Sequence, residues 1–252
     1  MSHQGFLTHV ESSSLPHPPI DFRILLAIEE GVRTAWKKLV GDAATQANML
    51  DKKCKEVDIT VDLQLALDKI LSTKECPAFT DALFQSPSRG EEFVNFSGEN
   101  LEKRPDLTFC LKDRRPGVDM SRYDAVFTEC KILGSGDGKN MGKYISDGLI
   151  RFVNGNYAWA VPSAMMIGYV RSSQQLPDPL TDYFKKKTKG EFNSKVYNLL
   201  TNPIMCNQSN ARIVYRVCRT EHARHWGYPP DGKRKPGNIT IRHLWLEIAD
   251  FK

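Results

Sequence analysis

The sequence predicts a mixed α/β domain, and three features of the 252-residue chain support this class. Two strand-like runs, 106–112 and 124–133, are joined by the polar link DRRPGVDMSR, whose Pro-Gly pair is typical of a hairpin connection. Apolar residues at helical spacing precede these runs. A nearly continuous apolar run, 157–170, follows them, as expected of a strand that is buried on both faces. This order favours a mixed central sheet flanked by helices.

Two helices are predicted before the strands. Asp21 is a candidate N-cap for the first helix, and Gly41 is predicted to end it. The second helix covers 58–73, with Asp58 as its candidate cap. The run EEFVNFS at 91–97 is a short strand candidate. Together with the two longer runs it would form a three-strand meander.

The second half of the chain continues the alternation of helices and strands. A Gly-rich loop, GSGDGKNMG at 134–142, leads into a predicted helix over 143–154. Residues 180–201 have a helical and basic pattern. Two alternating runs, 211–219 and 238–248, are predicted to be the last strands.

The domain organisation follows from composition. The chain is 40% hydrophobic and 26% charged, and no change of composition divides it. We therefore expect one domain over 21–252, with its core at about 55–172 and a basic C-terminal extension at about 173–252. The Ser-, His- and Pro-rich segment at 1–20 is predicted to be a mobile tail.

Charge, cysteine usage and hydropathy indicate the kind of partner and the cellular compartment of the protein. The net charge of +5 permits an anionic partner. The six cysteines form no CxxC pair, which favours reduced thiols over a disulfide framework or a zinc site. The N-terminus lacks a signal pattern, and the longest apolar stretch, 157–170, is too short to span a bilayer. We expect a cytoplasmic protein with no membrane partner.

The strongest functional signal is a set of charged residues inside predicted strands. Alternation puts Glu129 and Lys131 on one face of a strand and the Cys130 side chain on the other. If the two runs pair as a hairpin, Asp106 lies beside Glu129, and two close carboxylates repel unless a cation separates them. Oxygen ligands of this kind suit Mg²⁺ or Mn²⁺. A lysine beside such an ion can orient or deprotonate water, or hold a phosphate, so these residues suit phosphodiester hydrolysis.

The arrangement Pro105-Asp106 followed by Glu129-Cys130-Lys131 resembles the PD-(D/E)xK motif of restriction-endonuclease-like nucleases. The predicted order of elements is also similar to the core of that superfamily. The resemblance implies that Asp106, Glu129 and the carbonyl of Cys130 hold Mg²⁺ or Mn²⁺. It further implies that Lys131 positions and activates water, and that the substrate is a nucleic acid, with DNA as the first expectation.

The resemblance also suggests supporting residues. Members of the superfamily often add an acidic residue from the preceding helix, and Glu56 is our first candidate, whereas Asp58 is better explained as a helix cap. The stretch EVDIT and the segment 144–170 resemble a group of bacterial nucleases tied to phage defence. In that group the helix after the motif lies over the active site, so Tyr144 and Arg151 are expected to support it.

Arg151 and several other basic residues are candidates for nucleic-acid binding. Lys143 follows the Gly-rich loop, which is expected to flank the site. Arg219, His222 and Arg224 lie near a predicted strand end and could contact phosphates, with a solvated loop as the alternative. The spacing of Cys218 and the nearby histidines fits no zinc motif.

Three other interpretations stay open at this point. The charged residues could be salt bridges on a solvated strand. The chain could be a catalytically silent subunit that binds nucleic acid or acts as a scaffold in a larger complex. It could also be an enzyme that acts on another phosphate ester, such as a nucleotide. A homo-oligomer or a larger defence complex is the partner that the nuclease interpretation implies.

Overall fold

The centre of the molecule is a mixed β-sheet, to which the described residues contribute six strands. The structure, a computed structural model, describes residues 15–98, 104–134, 139–172, 176–206 and 217–248. The strands of the sheet are β1 (Leu107–Cys110), β2 (Ala125–Leu133), β3 (Ser163–Val170), β6 (Leu199–Met205), β7 (Val217–His222) and β8 (Ile239–Glu247). A separate ribbon pairs β4 (Lys187–Thr188) with β5 (Glu191–Phe192).

The strand order across the sheet is β1-β2-β3-β8-β7-β6. β1 and β2 form the predicted antiparallel hairpin, β2, β3 and β8 run parallel, and β8, β7 and β6 are antiparallel neighbours. The mixed α/β class is therefore confirmed. β8 lies near the centre although it comes late in the chain, so strands from the part of the chain that we expected to be an extension, β6, β7 and β8, contribute half of this sheet.

Helices cover both faces of this sheet. They are α1 (Phe22–Gly41), α2 (Ala43–Leu50), α3 (Glu56–Thr73), α4 (Lys139–Lys143), α5 (Ile150–Val153), α6 (Asp178–Lys185) and α7 (Asn193–Val196). A π-helical segment, Tyr144–Leu149, joins α4 to α5 without a break, and a short 3-10 helix covers Ser121–Tyr123. The helix predicted at 143–154 is thus confirmed, but it includes a π-helical part, which often occurs at functional sites.

Aspartates cap the first and third helices, as the sequence signals predict, although the start of α3 differs from the prediction. Asp21 caps α1, because its Oδ1 accepts a hydrogen bond from the Arg23 backbone N–H at 2.7 Å. α3 starts before the predicted position, at Glu56. Asp58 caps it from inside the first turn by accepting from the Lys55 N–H at 3.0 Å.

Different elements pack on the two faces of the sheet. On one face, the Trp36 ring from α1 stacks on Tyr169 of β3 with ring centroids 5.4 Å apart. On the other face, the π-helical segment lies over β3 and β8, with Tyr144 edge-on to Trp245 at 6.2 Å. The segment passes close to β3, since a Cβ at Gly148 would lie 2.6 Å from Cε at the flexible end of Met166. The charged residues of β2 lie beneath this segment.

The structure corrects two predicted elements. Residues 91–97 do not form a strand, since only Phe93 has strand-like pairing and the Val94 carbonyl accepts from the Trp159 indole instead. Residues 180–201 are not one helix. A turn with positive φ at Lys189 and Gly190 reverses the chain into the β4–β5 ribbon.

The N-terminal tail is also corrected in part. Residues 1–14 lie outside the described residues. Leu15, His17 and Ile20 are buried, and the His17 N–H donates to the Ala160 carbonyl at 2.7 Å. Arg115 donates to the carbonyls of residues 18 and 19. Residues 15–20 are therefore packed, and the mobility predicted for 1–20 does not apply to them.

All six cysteines have free thiols, as expected from their spacing. No helix within the described ranges is long and apolar enough to cross a bilayer.

Candidate active site

The hairpin brings Asp106 to Glu129. The register pairs Leu107 with Thr128, so the next step along both strands places Asp106 opposite Glu129. Asp106 is held in place by the backbone of β2, since its Oδ2 accepts a hydrogen bond from the Cys130 N–H at 2.8 Å. Its side chain keeps 30% of its surface exposed. One carboxylate oxygen is thus fixed by the strand, while the group as a whole stays accessible.

Lys131 lies among three carboxylates. Its ammonium is 2.9 Å from Glu56 Oε1, 3.2 Å from Glu129 Oε2 and 3.6 Å from Asp106 Oδ2. It also donates to the Cys130 carbonyl at 2.7 Å. Oxygen atoms from α3, β2 and the start of β1 therefore face one cation, and the side chain of Lys131 is only 13% exposed.

Glu56 joins the cluster from the first turn of α3. Its Oε1 accepts from Lys131, and its Oε2 accepts from the Ile132 N–H at 3.2 Å. The structure thus brings Glu56 together with Asp106, Glu129 and Lys131 and leaves Asp58 at the helix cap.

Glu129 is the buried member of the cluster, with no exposed surface. Its Oε1 accepts a hydrogen bond from the Tyr157 hydroxyl and pairs with Arg151 Nη1 at 3.2 Å. Arg151 thus supports the site from α5, with 40% of its side chain exposed. Tyr157 was not identified from the sequence. It lies at the start of the apolar run 157–170, and a tyrosine in such a run needs a buried partner for its hydroxyl.

Burial and charge alter the protonation of the cluster. Burial and, secondly, the neighbouring Asp106 raise the pKa of Glu129 to about 8, against the lowering effects of Lys131 and Arg151. Burial alone would lower the pKa of Lys131, but Glu129, Asp106 and Glu56 together raise it above its ordinary value. The ammonium therefore stays charged at neutral pH. Three carboxylates face two cations, Lys131 and Arg151, so the fully ionised cluster has an excess negative charge.

The donor set of the cluster fits a hard divalent cation. Asp106, Glu129 and the Cys130 carbonyl offer oxygen atoms only, which are the ligands that Mg²⁺ and Mn²⁺ prefer. The pKa of Glu129 is raised mainly by burial, and a cation bound beside the carboxylate would lower it. Within the described residues, no three His, Cys, Asp or Glu side chains are arranged as a ready metal site. In the cluster itself, the Lys131 ammonium lies between the carboxylates.

A buried hydrogen-bond chain ties the covering segment to the sheet. Tyr144 OH lies 3.0 Å from His243 Nδ1, His243 Nε2 lies 2.9 Å from Thr220 Oγ1, and Thr220 Oγ1 lies 2.9 Å from His222 Nε2. His222 Nδ1 lies 2.7 Å from the Tyr197 carbonyl, which can only accept. If each group donates in turn from Tyr144 towards Tyr197, every contact is satisfied with both imidazoles neutral.

This chain determines the roles of Tyr144 and His222. Tyr144 supports the site indirectly, because it anchors the π-helical segment to β8 and not to a carboxylate. His222 uses both ring nitrogens inside the protein, so the prediction that it contacts phosphate is wrong. Burial lowers the pKa of His222 to about 4 and that of His243 to about 3.

Arg224 and Arg219 also lie apart from the cluster. Arg224 is buried and donates to the carbonyls of Pro236 at 2.7 Å and Gly237 at 3.0 Å, so it holds loops together and does not meet phosphate. Arg219 is exposed, but it neighbours Arg242 on the sheet face opposite Glu129. Lys143 is exposed at the end of α4, and its contact with nucleic acid stays a prediction.

Known proteins give no independent assignment of this site. Comparisons of the chain with models of protein families, with curated proteins and with solved structures found no match.

Proposed function

We propose that the protein is a metal-dependent nuclease that hydrolyses phosphodiester bonds, with DNA as its first substrate. The observation that carries this proposal is the convergence of Glu56, Asp106 and Glu129 on the Lys131 ammonium. Acidic oxygens beside a lysine on one strand face are the groups that this chemistry needs. The resemblance of these positions to the PD-(D/E)xK motif supports the same conclusion.

Each residue of the cluster has a distinct role in this proposal. Asp106, Glu129 and the Cys130 carbonyl would hold Mg²⁺ or Mn²⁺, which supplies Lewis-acid stabilisation of phosphate charge and a more acidic bound water. Lys131 keeps its proton, because its pKa is raised, so it orients water or phosphate by donating hydrogen bonds. This favours an orienting role over the role of a base that the sequence left open.

Supporting residues keep the cluster in shape. Tyr157 and Arg151 hold one oxygen of Glu129, which leaves the other directed towards Lys131. Glu56 holds the ammonium from α3 and fixes the strand at Ile132. Arg151 is partly exposed, so its guanidinium can also meet a phosphate of the substrate.

The wider context is also a proposal. Free thiols at all six cysteines suit a reducing compartment, which supports action in the cytoplasm. A role in bacterial defence, as a homo-oligomer or within a larger complex, rests on the resemblance alone. The alternative is a silent nucleic-acid-binding or scaffolding subunit, in which the ammonium would keep its place among the carboxylates.

A cleavage assay tests the proposed activity. Supercoiled plasmid, linear duplex, single-stranded DNA and RNA are incubated with the protein in Mg²⁺, Mn²⁺ or chelator. We expect metal-dependent cleavage of DNA that is lost in Asp106→Asn and Lys131→Met. Asp62→Asn is the matched control, since Asp62 lies on α3 outside the cluster. Cleavage that survives both cluster substitutions would overturn the proposal, and binding of DNA without cleavage in any metal would favour the silent subunit.

A further inference from the structure

A pocket of about 390 Å³ lies on the sheet face opposite the carboxylate cluster. This volume is within the range of small-molecule sites. The sheet separates the two places: Glu129, Met166 and His243 are cross-strand neighbours on one face, and Arg242 precedes His243 and therefore points to the other. The pocket is thus separate from the candidate active site.

Two arginines on neighbouring strands line this pocket. Arg219 of β7 and Arg242 of β8 are direct partners in the sheet register, where two like charges repel each other. Glu29 of α1 accepts from Arg242 Nε and offsets one of the two charges. The pair therefore keeps an excess of positive charge at the pocket.

One of these guanidinium groups has a poorly satisfied donor. Arg242 is only 3% exposed, and among the described residues its Nη2 lacks a well-formed hydrogen bond, although the Cys206 thiol interacts with the Arg242 side chain. A buried charged donor of this kind is costly, so native proteins seldom leave one without a purpose. An anion that enters the pocket would lie beside the guanidinium groups of Arg242 and Arg219 and would reduce the repulsion between them.

The rest of the lining is largely apolar. Phe22 and Leu25 come from the first turn of α1, and Ile204 and Met205 come from β6. The Phe22 ring centroid lies 5.2 Å from Arg242 Cζ, and Phe22 and Ile204 are 54% and 44% exposed. A ligand that covered these side chains would bury apolar surface next to its charged group.

We propose that this pocket binds a small amphipathic anion, in which a carboxylate or phosphate meets Arg242 and Arg219 and an apolar group lies against Phe22, Leu25, Ile204 and Met205. The buried Glu29 holds the Arg242 guanidinium in place in the absence of ligand, so binding requires little ordering of this side chain. The site does not depend on the proposed nuclease activity.

Calorimetry with four probes tests this proposal. Octanoate and octyl phosphate carry both a charge and a chain, 1-octanol lacks the charge, and inorganic phosphate lacks the chain. We expect both amphipathic anions to bind at least about tenfold more tightly than either control, because charge and apolar contact are each needed. The tighter of the two anions tells whether the pocket prefers a carboxylate or a phosphate.

Variants show whether binding occurs at the pocket. Arg219→Gln should weaken both anions by about tenfold, and Ile204→Glu should abolish binding, because it places a carboxylate opposite Arg219. Both positions are exposed, so the fold should tolerate the changes. Arg89→Gln, an exposed arginine outside the pocket, should have no effect. Binding of 1-octanol equal to that of octanoate, no binding of either anion, or unchanged affinity in both pocket variants would overturn the proposal.

Discussion

Neutralising Glu129 should stabilise the metal-free protein, and the gain should grow with pH. In the folded state burial raises the pKa of this carboxyl from its usual 4.5 to about 8. Between these values the unfolded chain is ionised and the folded chain holds the proton, so Glu129 reduces stability as pH rises. At about 1.4 kcal/mol per pH unit, the cost is about 3 kcal/mol at pH 7 and about 5 kcal/mol above pH 8.

The Glu129→Gln substitution removes this titration but keeps the shape of the side chain. Its effect is measured by urea unfolding in chelator at several pH values, with Glu30→Gln on the exposed side of α1 as control. The stability difference from wild type should increase by about 3 kcal/mol between pH 5 and pH 8. The loss of contacts to Tyr157 and Arg151 changes the stability of the variant by the same amount at every pH, so it does not alter the pH dependence of the difference. A difference that stays constant with pH would refute the reasoning.

Three further predictions concern stability. Arg224→Gln should lower the free energy of unfolding in urea by at least about 3 kcal/mol, because buried carbonyls lose a charged donor. Arg89→Gln, at an exposed position, should lower it by less than about 0.5 kcal/mol, and equal effects of the two substitutions would contradict the prediction. His243, whose pKa is lowered to about 3, should reduce the free energy of unfolding by about 2 kcal/mol as pH falls from 7 to 5, because only the unfolded state takes up the proton. The substitution His243→Gln should make the free energy of unfolding fall less steeply over this pH range, and an unchanged pH dependence would refute the prediction. Gly31→Ala should lower the melting temperature, although alanine favours helices, because a Cβ would lie 2.5 Å from Phe79 Cγ; a rise would show that the ring moves aside.

Local patterns in the sequence were sufficient to predict the hairpin and its charged face. Alternation fixes which side chains share a strand face, and the Pro-Gly link indicates the turn, so these two patterns place Asp106, Glu129 and Lys131 together. Glu56 could be proposed only from the resemblance, because its contact with Lys131 joins residues far apart in the chain.

Long-range packing explains what the sequence did not reveal. The run containing β8 was recognisable as a strand, but its place between β3 and β7 depends on pairing between distant segments. The basic residues His222 and Arg224 looked like surface contacts, yet their acceptors come from other parts of the fold. A sequence pattern shows the polarity of a residue, but it does not show whether the folded interior holds a hydrogen-bond acceptor for that residue.

Binding of Mn²⁺ to the metal-free protein tests the central claim most directly, because it requires no activator and no substrate. Calorimetric titration of wild type at pH 7.5 should show one or more ions binding at the cluster. It should also show release of a proton from Glu129, whose pKa is raised to about 8. Asp106→Asn should abolish this binding, and Asp62→Asn should not. Failure of wild type to bind Mn²⁺, or binding that Asp106→Asn leaves unchanged, would contradict the assignment of Asp106, Glu129 and Lys131 as a metal-dependent site.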